Sequence, residues 1–436
     1  MAPDTFIETA KVSKFLFCRV SGRRTGFCFA WKRSSEIGTS EIAMARSVPL
    51  DLTAAFSRFR AADPGRLHFA AHSHHFWPDV TFEAQQAAWT EAARRADDKW
   101  DYVLGEVWPA VAAGIARHLN LPDPATLVPG PNTLDFANRL LSCGPSDRAM
   151  RVVTTDGEFH SFRRQIARLA EDGLVALTVV PTAPFDTLAE RLIAAARVED
   201  ADLVYVSQVF FNSGFALTHL AALVDGLSAP QRLVVIDGYH GFLARPTDLG
   251  AIADRAFYIA GGYKYAMAGE GACFMHCPPG FGPRPRNTGW YAGFGNLSGA
   301  QTGVPYPADG FRFMGATFDP SGLFRLRAVF DWLADEGIDA ALVHAHVEAL
   351  QARFMAAMAE KPWGPFSAER LMVSLDEPAR GNFLTFEDAE AGTWYQRLHD
   401  AGIVTDVRGT RLRVGFGLYH AAADVDALIA RLRTLA

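Results

Sequence analysis

The sequence predicts an α/β fold built on a mainly parallel sheet, with a smaller α+β domain after it. Two observations carry this. From about residue 80 to residue 277, short β-branched runs alternate with amphipathic helical stretches, which implies parallel strands with helices on both faces. After a loop-rich zone at 278–320, two helices lead into a second, separate series of strands and helices.

The elements follow in order. Helical periodicity covers roughly 80–97 and 106–119, then 132–142 after "PGPN". The strands are "MRVVTT" (150–155), "LVALTVV" (174–180), "ADLVYVSQVFF" (201–211) and "QRLVVIDG" (231–238). "RAFYIAGG" (255–262) and "GACFMHC" (271–277) close that series. Helices are expected at about 321–336 and 338–361, then strands at 371–375 and 382–387 and a helix at 391–401. The strands "IVTDVRG" and "RLRVGFG" and a helix at 421–434 complete the chain. The expected organisation is an extension at 1–43, an N-terminal arm at 44–79, a large domain at 80–320 and a small domain at 321–436.

At 436 residues the chain can bury a large core. Its net charge of −6, spread without long runs, gives no support for a nucleic-acid or anionic-membrane surface. No apolar run is long enough to span a membrane. Five scattered cysteines make no disulfide framework, so a reducing cytoplasmic setting is expected. Cys273, His276 and Cys277 lie close in sequence but in a strand-like run with no second ligand pair, so no metal is expected there. Residues 1–43 hold seven Lys/Arg against four Asp/Glu and show no clear periodicity; they read as a disordered extension.

The chemistry starts from one lysine. The chain uses 36 arginines and only six lysines, and one of the six, Lys264, stands in "GGYKYAMAGEG" among glycines, alanines and aromatics. Arginine stays protonated, whereas a desolvated lysine loses its proton and forms a Schiff base. A snorkelling lysine at a strand end is the alternative reading. Asp237 ends the apolar strand "LVVID", where a carboxylate is a helix cap or a functional group. Pyridoxal phosphate needs a lysine for its aldehyde, an acid opposite its ring nitrogen and a phosphate cradle. Lys264 and Asp237 meet the first two needs. "VPGPNTLDF" (128–136) offers the third, with Asn132 or Thr133 capping a helix whose free amides meet phosphate. Phe159, after another strand, could stack on the ring.

At this point the residues resemble a known family. "GYKYAMAGEGACFMH" is similar to the Schiff-base segment of kynureninases, within the class V aminotransferases, which are fold-type-I pyridoxal-phosphate enzymes. "IDGYHG" resembles their D-x-x-H strand end, "PRNTGWYAGF" their Gly-Trp-Trp stretch, and "GIVTDVRGTRLRVGFGLYH" (402–420) their C-terminus. The likeness spans roughly residues 66 to 436. It implies that Lys264 carries the cofactor, that Asp237 pairs with its ring nitrogen and that His240 tunes it. It implies phosphate contacts from Tyr263, Asn132 and Thr133, with Trp290 and Thr317 reaching in from a partner subunit of a homodimer. Phe159 stacks on the ring, and Arg413 pairs with the substrate carboxylate, with Arg408 as the substitute.

The chain also departs from that family. Its entrance segment reads "AHSHHFWPD" (71–79), and the family's Ser-Asn-Pro-Pro becomes Ala316-Thr317-Phe318-Asp319-Pro320. Gly-Trp-Trp becomes Gly289-Trp290-Tyr291, and Phe211 replaces a usual tyrosine. So the cofactor set is largely kept and the substrate-reading set is changed. His72 or His74 is expected to line the substrate pocket; metal binding by His72, His74 and His75 lacks evident partners. The leading expectation is a kynureninase-like hydrolase that breaks a Cβ–Cγ bond of an amino acid and releases alanine, with Lys264 as general base. The alternative is a class V aminotransferase or β-lyase on another amino acid. A cysteine desulfurase is disfavoured because that chemistry needs a loop thiol and no cysteine follows Cys277. A non-enzymatic protein keeping a dead fold is disfavoured by the intact set of Lys264, Asp237 and Arg413.

Overall fold

The computed structural model describes residues 48–435 except 281, 283 and 297–302. The extension expected at 1–43 lies outside the described residues. Twelve strands are seen among those described: β1 (Leu67–His68), β2 (Leu127–Gly130), β3 (Met150–Thr155), β4 (Val175–Val180), β5 (Leu203–Ser207), β6 (Leu233–Asp237), β7 (Phe257–Ala260), β8 (Cys273–His276), β9 (Phe383–Glu387), β10 (Ile403–Val404), β11 (Asp406–Arg408) and β12 (Arg411–Gly415).

Seven of them form one sheet in the order β2-β8-β7-β6-β5-β3-β4. The pairs from β7 through β6, β5 and β3 to β4 are parallel; β8 is antiparallel to both β7 and β2. The middle strands are apolar throughout because helices cover both faces. Their side chains alternate between two cores. On β6, Val234 and Ile236 enter one core, and Leu233 and Val235 enter the other. On β7 the same split separates Tyr258 and Ala260 from Phe257 and Ile259. Burial of such strands on both faces gives about 25 cal/mol per Å² of apolar surface, which makes the sheet a rigid platform for whatever its strand ends carry.

The helices Val80–Arg95, Trp108–Leu119 and Thr133–Leu141 sit where periodicity puts them, and His160–Glu171, Leu188–Val198 and Leu220–Leu227 are the crossovers. β2 was not expected. Pro129 hides it in sequence, and the structure tolerates that proline because β2 is an edge strand.

A second core gathers Val347, Phe354, Leu384, Phe386, Leu412, Val414 and Phe416 around the sheet β11-β12-β9. Phe69 from the N-terminal arm is part of it, and β1 pairs in parallel with β10. The helix Ser321–Asp335 packs in the first core, whereas Ala340–Glu360 contributes to the second. The strand expected at 371–375 is absent. Only Leu371 bridges to Phe386, because the guanidinium of Arg380 takes the carbonyls of Ser374 and Leu375 that a ladder would need.

Candidate active site

In an open α/β sheet the place for a ligand is the crevice beyond the carboxyl ends of the strands, where the strand order reverses. Here the order reverses between β3 and β5. A cavity of about 360 Å³ opens at that edge. Its lining includes Asn132 and Thr133 after β2, Phe159 after β3, Ser207 at the end of β5, Asp237 at the end of β6 and Lys264 after β7. His240 and Tyr263 line it as well.

Lys264 is 5% exposed, and its Nζ donates to the phenol of Tyr263 at 3.0 Å. It lies over the ring of Tyr239 at 4.1 Å and 5.4 Å from the centre of the Phe159 ring. Burial holds its amine down to about 8, against the opposing pull of Asp237. The lysine is therefore poised to lose its proton near neutrality, as a nucleophile must.

Asp237 is fixed from two sides. The phenol of Tyr205 donates to Oδ2 at 2.7 Å, and the backbone N–H of Tyr239 donates to Oδ1 at 3.0 Å. Burial raises its pKa, while these two bonds and Lys264 hold it down. A Cβ on Gly238 would run into the Tyr258 ring, so only glycine lets the chain turn so closely after the acid. His240 is buried, and its pKa is lowered by burial and by the nearby Lys264 and Arg413, which keeps the ring neutral. Its Nδ1 is buried without a partner.

Asn132 caps the helix Thr133–Leu141, its Oδ1 accepting from the N–H of Asp135 at 2.9 Å. That puts the positive end of the helix at the cavity, a ready anion site. The loop beyond Lys264 returns through Gly271, whose φ of +83° suits glycine and which also lines the cavity. Arg325 braces this loop, donating to the carbonyls of Ala268 and Glu270 at 2.6 Å each.

Other expected residues stand elsewhere. Trp290 and Thr317 bond to each other at 3.2 Å, outside the cavity lining. Arg413 is buried just beyond Phe211: its guanidinium donates to the Phe211 carbonyl and pairs with Asp406. Arg408 is 43% exposed and donates to Oδ1 of Asp406 at 2.7 Å. His72 stacks on Phe383 at 4.6 Å, next to the same aspartate, rather than lining the cavity. His74 is exposed and stacks on Tyr263 at 5.5 Å. His75 is structural: its Nε2 accepts from the N–H of Leu418 at 3.1 Å. His276 spends both ring nitrogens on Thr126 and Ala253, and no cluster fit for a metal exists among the described residues.

Tyr205, Ser207, Tyr239 and Glu158 escaped the sequence reading. Glu158 is fully buried and takes hydrogen bonds from the hydroxyls of Thr155 and Ser207, both at 2.6 Å. A signal was present: Tyr205 and Ser207 are polar-tipped residues two apart in an apolar strand, so they share one face.

This edge-of-sheet architecture has counterparts among known proteins. No family model matches the chain. The solved structure of C-DES with glycine covalently linked to its pyridoxal-phosphate cofactor superposes with a TM-score of 0.70 at 17% identity, over 86% of this chain and 98% of that one. The chain has the pyridoxal-phosphate fold type I. The cysteine desulfurase CsdA from Escherichia coli shares it at a TM-score of 0.69 and 18% identity, covering 87% of this chain and 98% of that one. A cysteine desulfurase from Thermococcus onnurineus NA1 does so at 0.69 and 17%, covering 89% and 98%. In sequence, a probable cysteine desulfurase from Vibrio cholerae is 24% identical over 275 residues, which is 59% of this chain. The match spans 64% of the length of that curated relative. In this fold the α/β reading and the mainly parallel seven-stranded sheet hold, with β8 as the antiparallel member. Among the described residues, no helix is long and apolar enough to cross a membrane.

The side chains fit the cofactor that the C-DES structure carries. A buried amine of lowered pKa, a carboxylate held in place, an aromatic ring and a helix N-terminus all meet at one cavity, whose lining also includes His240, a residue with a buried, unpartnered ring nitrogen.

Proposed function

We propose that this protein is a pyridoxal-phosphate-dependent lyase that breaks the Cβ–S bond of a sulfur-bearing α-amino acid. The observation that carries the reading is the convergence of the Lys264 amine and the Asp237 carboxylate, both buried, on one cavity at the strand ends. The choice of a carbon–sulfur bond rests on the relatives, which include cysteine desulfurases and C-DES, a cystine C–S lyase. Kynureninase-like hydrolysis finds no support among them and gives way to the lyase alternative. A desulfurase in the strict sense needs a loop thiol, and the chain has no cysteine after Cys277. A second copy that brings Trp290 and Thr317 to the cavity belongs to the same reading.

Bound here, pyridoxal phosphate supplies an aldehyde for an amine and a ring that accepts an electron pair. Lys264 would hold the group, Asp237 would pair with its ring nitrogen, Phe159 would pack on its ring, and Asn132, Thr133 and Tyr263 would take its phosphate. Lys264 then takes the proton from Cα of the substrate. The Cβ–S bond breaks, its electron pair leaves on sulfur, and Lys264 returns the proton to the thiolate. Water completes the balance: R–S–CH2–CH(NH3+)–COO− and H2O give R–SH, pyruvate and ammonium. Tyr205 keeps Asp237 aimed throughout.

The test is pyruvate release from L-cystine and S-methyl-L-cysteine by the cofactor-loaded protein, with Lys264→Ala as control. Release that vanishes in the control supports the lyase. Anthranilate from L-kynurenine without pyruvate from either sulfur substrate would overturn it in favour of the hydrolase.

A further inference from the structure

Arg413 and Asp406 face each other across the antiparallel pair β11–β12, where their Cα positions are partners. Their side chains are 3% and 10% exposed and form an ion pair through Nη2 and Oδ2. The other terminal nitrogen of Arg413 donates to the Phe211 carbonyl, and Nε is buried with no partner. Phe211 lines the cavity, so this guanidinium sits one ring away from it. Asp406 is held a second time, by Nη1 of Arg408 at 2.7 Å. The third neighbour, His72, brings Nε2 to 3.9 Å from Oδ2, and burial keeps that ring neutral.

Two guanidiniums share one carboxylate: Arg413 is buried, whereas Arg408 is 43% exposed and solvated. Asp406 therefore keeps a partner if another carboxylate takes Arg413, whose buried Nε still lacks an acceptor. Resting on the reading of an α-amino-acid substrate, we propose that Asp406 is a built-in stand-in for the substrate carboxylate. In the empty site it occupies Arg413; the incoming carboxylate takes its place, and Asp406 stays neutralised by Arg408. Planar guanidinium geometry lets Arg413 exchange one carboxylate for another without leaving its pocket. Arg408 thus serves binding without touching the substrate. The device also favours ligands that present a full carboxylate, because an amide or ester brings no charge to replace the one given up.

The experiment is a calorimetric titration with sodium propionate, a carboxylate with no amine, and with L-alanine, on the cofactor-loaded protein. Asp406→Asn removes the competing charge and keeps the shape, so both ligands bind about tenfold tighter, the scale of one charged hydrogen bond. Arg408→Ala leaves Asp406 dependent on Arg413, so both bind several-fold weaker. The tightening disappears when Arg413→Ala is combined with Asp406→Asn. Unchanged or weaker binding by Asp406→Asn would overturn the proposal, as would unchanged binding by Arg408→Ala. The propionate arm needs no Schiff base. If no visible cofactor band forms at all, the lyase reading falls while propionate still decides the role of Asp406.

Discussion

The phenol of Tyr205 donates a 2.7 Å hydrogen bond to Oδ2 of Asp237, across two neighbouring parallel strands. Tyr205 is itself locked by a stacked ring, Phe162, at 3.7 Å. In a cofactor-bound site this bond decides where the carboxylate points. Tyr205→Phe keeps the stack and removes the bond, so turnover is expected to fall roughly 10- to 100-fold, the worth of one hydrogen bond to a charged group. Cofactor content, read from the visible band, stays near normal. Unchanged turnover would show that Asp237 is aimed by the Tyr239 N–H alone.

On the proposed reading, Lys264→Ala removes the amine that would hold the cofactor. Turnover drops by roughly a thousandfold or more, because one group serves as both nucleophile and proton carrier. The visible band goes with it. A protein that keeps both would place the chemistry on another residue.

The lowered amine pKa sets a pH signature. Only neutral Lys264 attacks an aldehyde, and burial brings its pKa from 10.5 to about 8. Capture of pyridoxal phosphate by the cofactor-free protein therefore speeds up as pH rises and levels off above about 8. Stopped-flow absorbance reads this directly. A rate still climbing steeply at pH 9.5 would mean that the amine is solvated.

Glu158 makes the opposite prediction for stability. Burial raises its pKa from 4.5 to about 8. The folded chain thus keeps a proton that the unfolded chain gives up. The stability this contributes is full below the ordinary pKa and is lost as pH rises toward about 8. Glu158→Gln mimics the protonated form at every pH. Its unfolding free energy from urea titration matches the parent near pH 5 and exceeds it at pH 8.5, by on the order of 1–3 kcal/mol. Parallel pH profiles would sink this account.

Much of the fold was legible because buried parallel strands are apolar runs of fixed length, and β3, β5, β6 and β7 read that way. β2 was not, since Pro129 argues against a strand and only its edge position admits it. Nor was the false strand at 371–375, because a guanidinium ten or fewer residues on, Arg380, claims its carbonyls. Lys264 and Asp237 stood out as charges in apolar surroundings. Glu158 did not: in sequence it is one more polar residue in a turn, and only the fold shows that β5 closes over it. Arg413 was named by resemblance alone, and its partner Asp406 is revealed only by strand register.

The pairing of β1 with β10 joins Leu67 to Ile403, and the bridge from Ala70 to Gly415 adds to it. During synthesis, residues 67–70 must wait for residues 403–415 before they have anything to pair with. The main sheet has all its strands by residue 276 and is free to close long before. The smaller unit is thus the last to form, and Phe69, buried in its core, is an exposed greasy side chain until then. A nascent chain stalled before residue 403 would leave that side chain open to chaperones and to other chains.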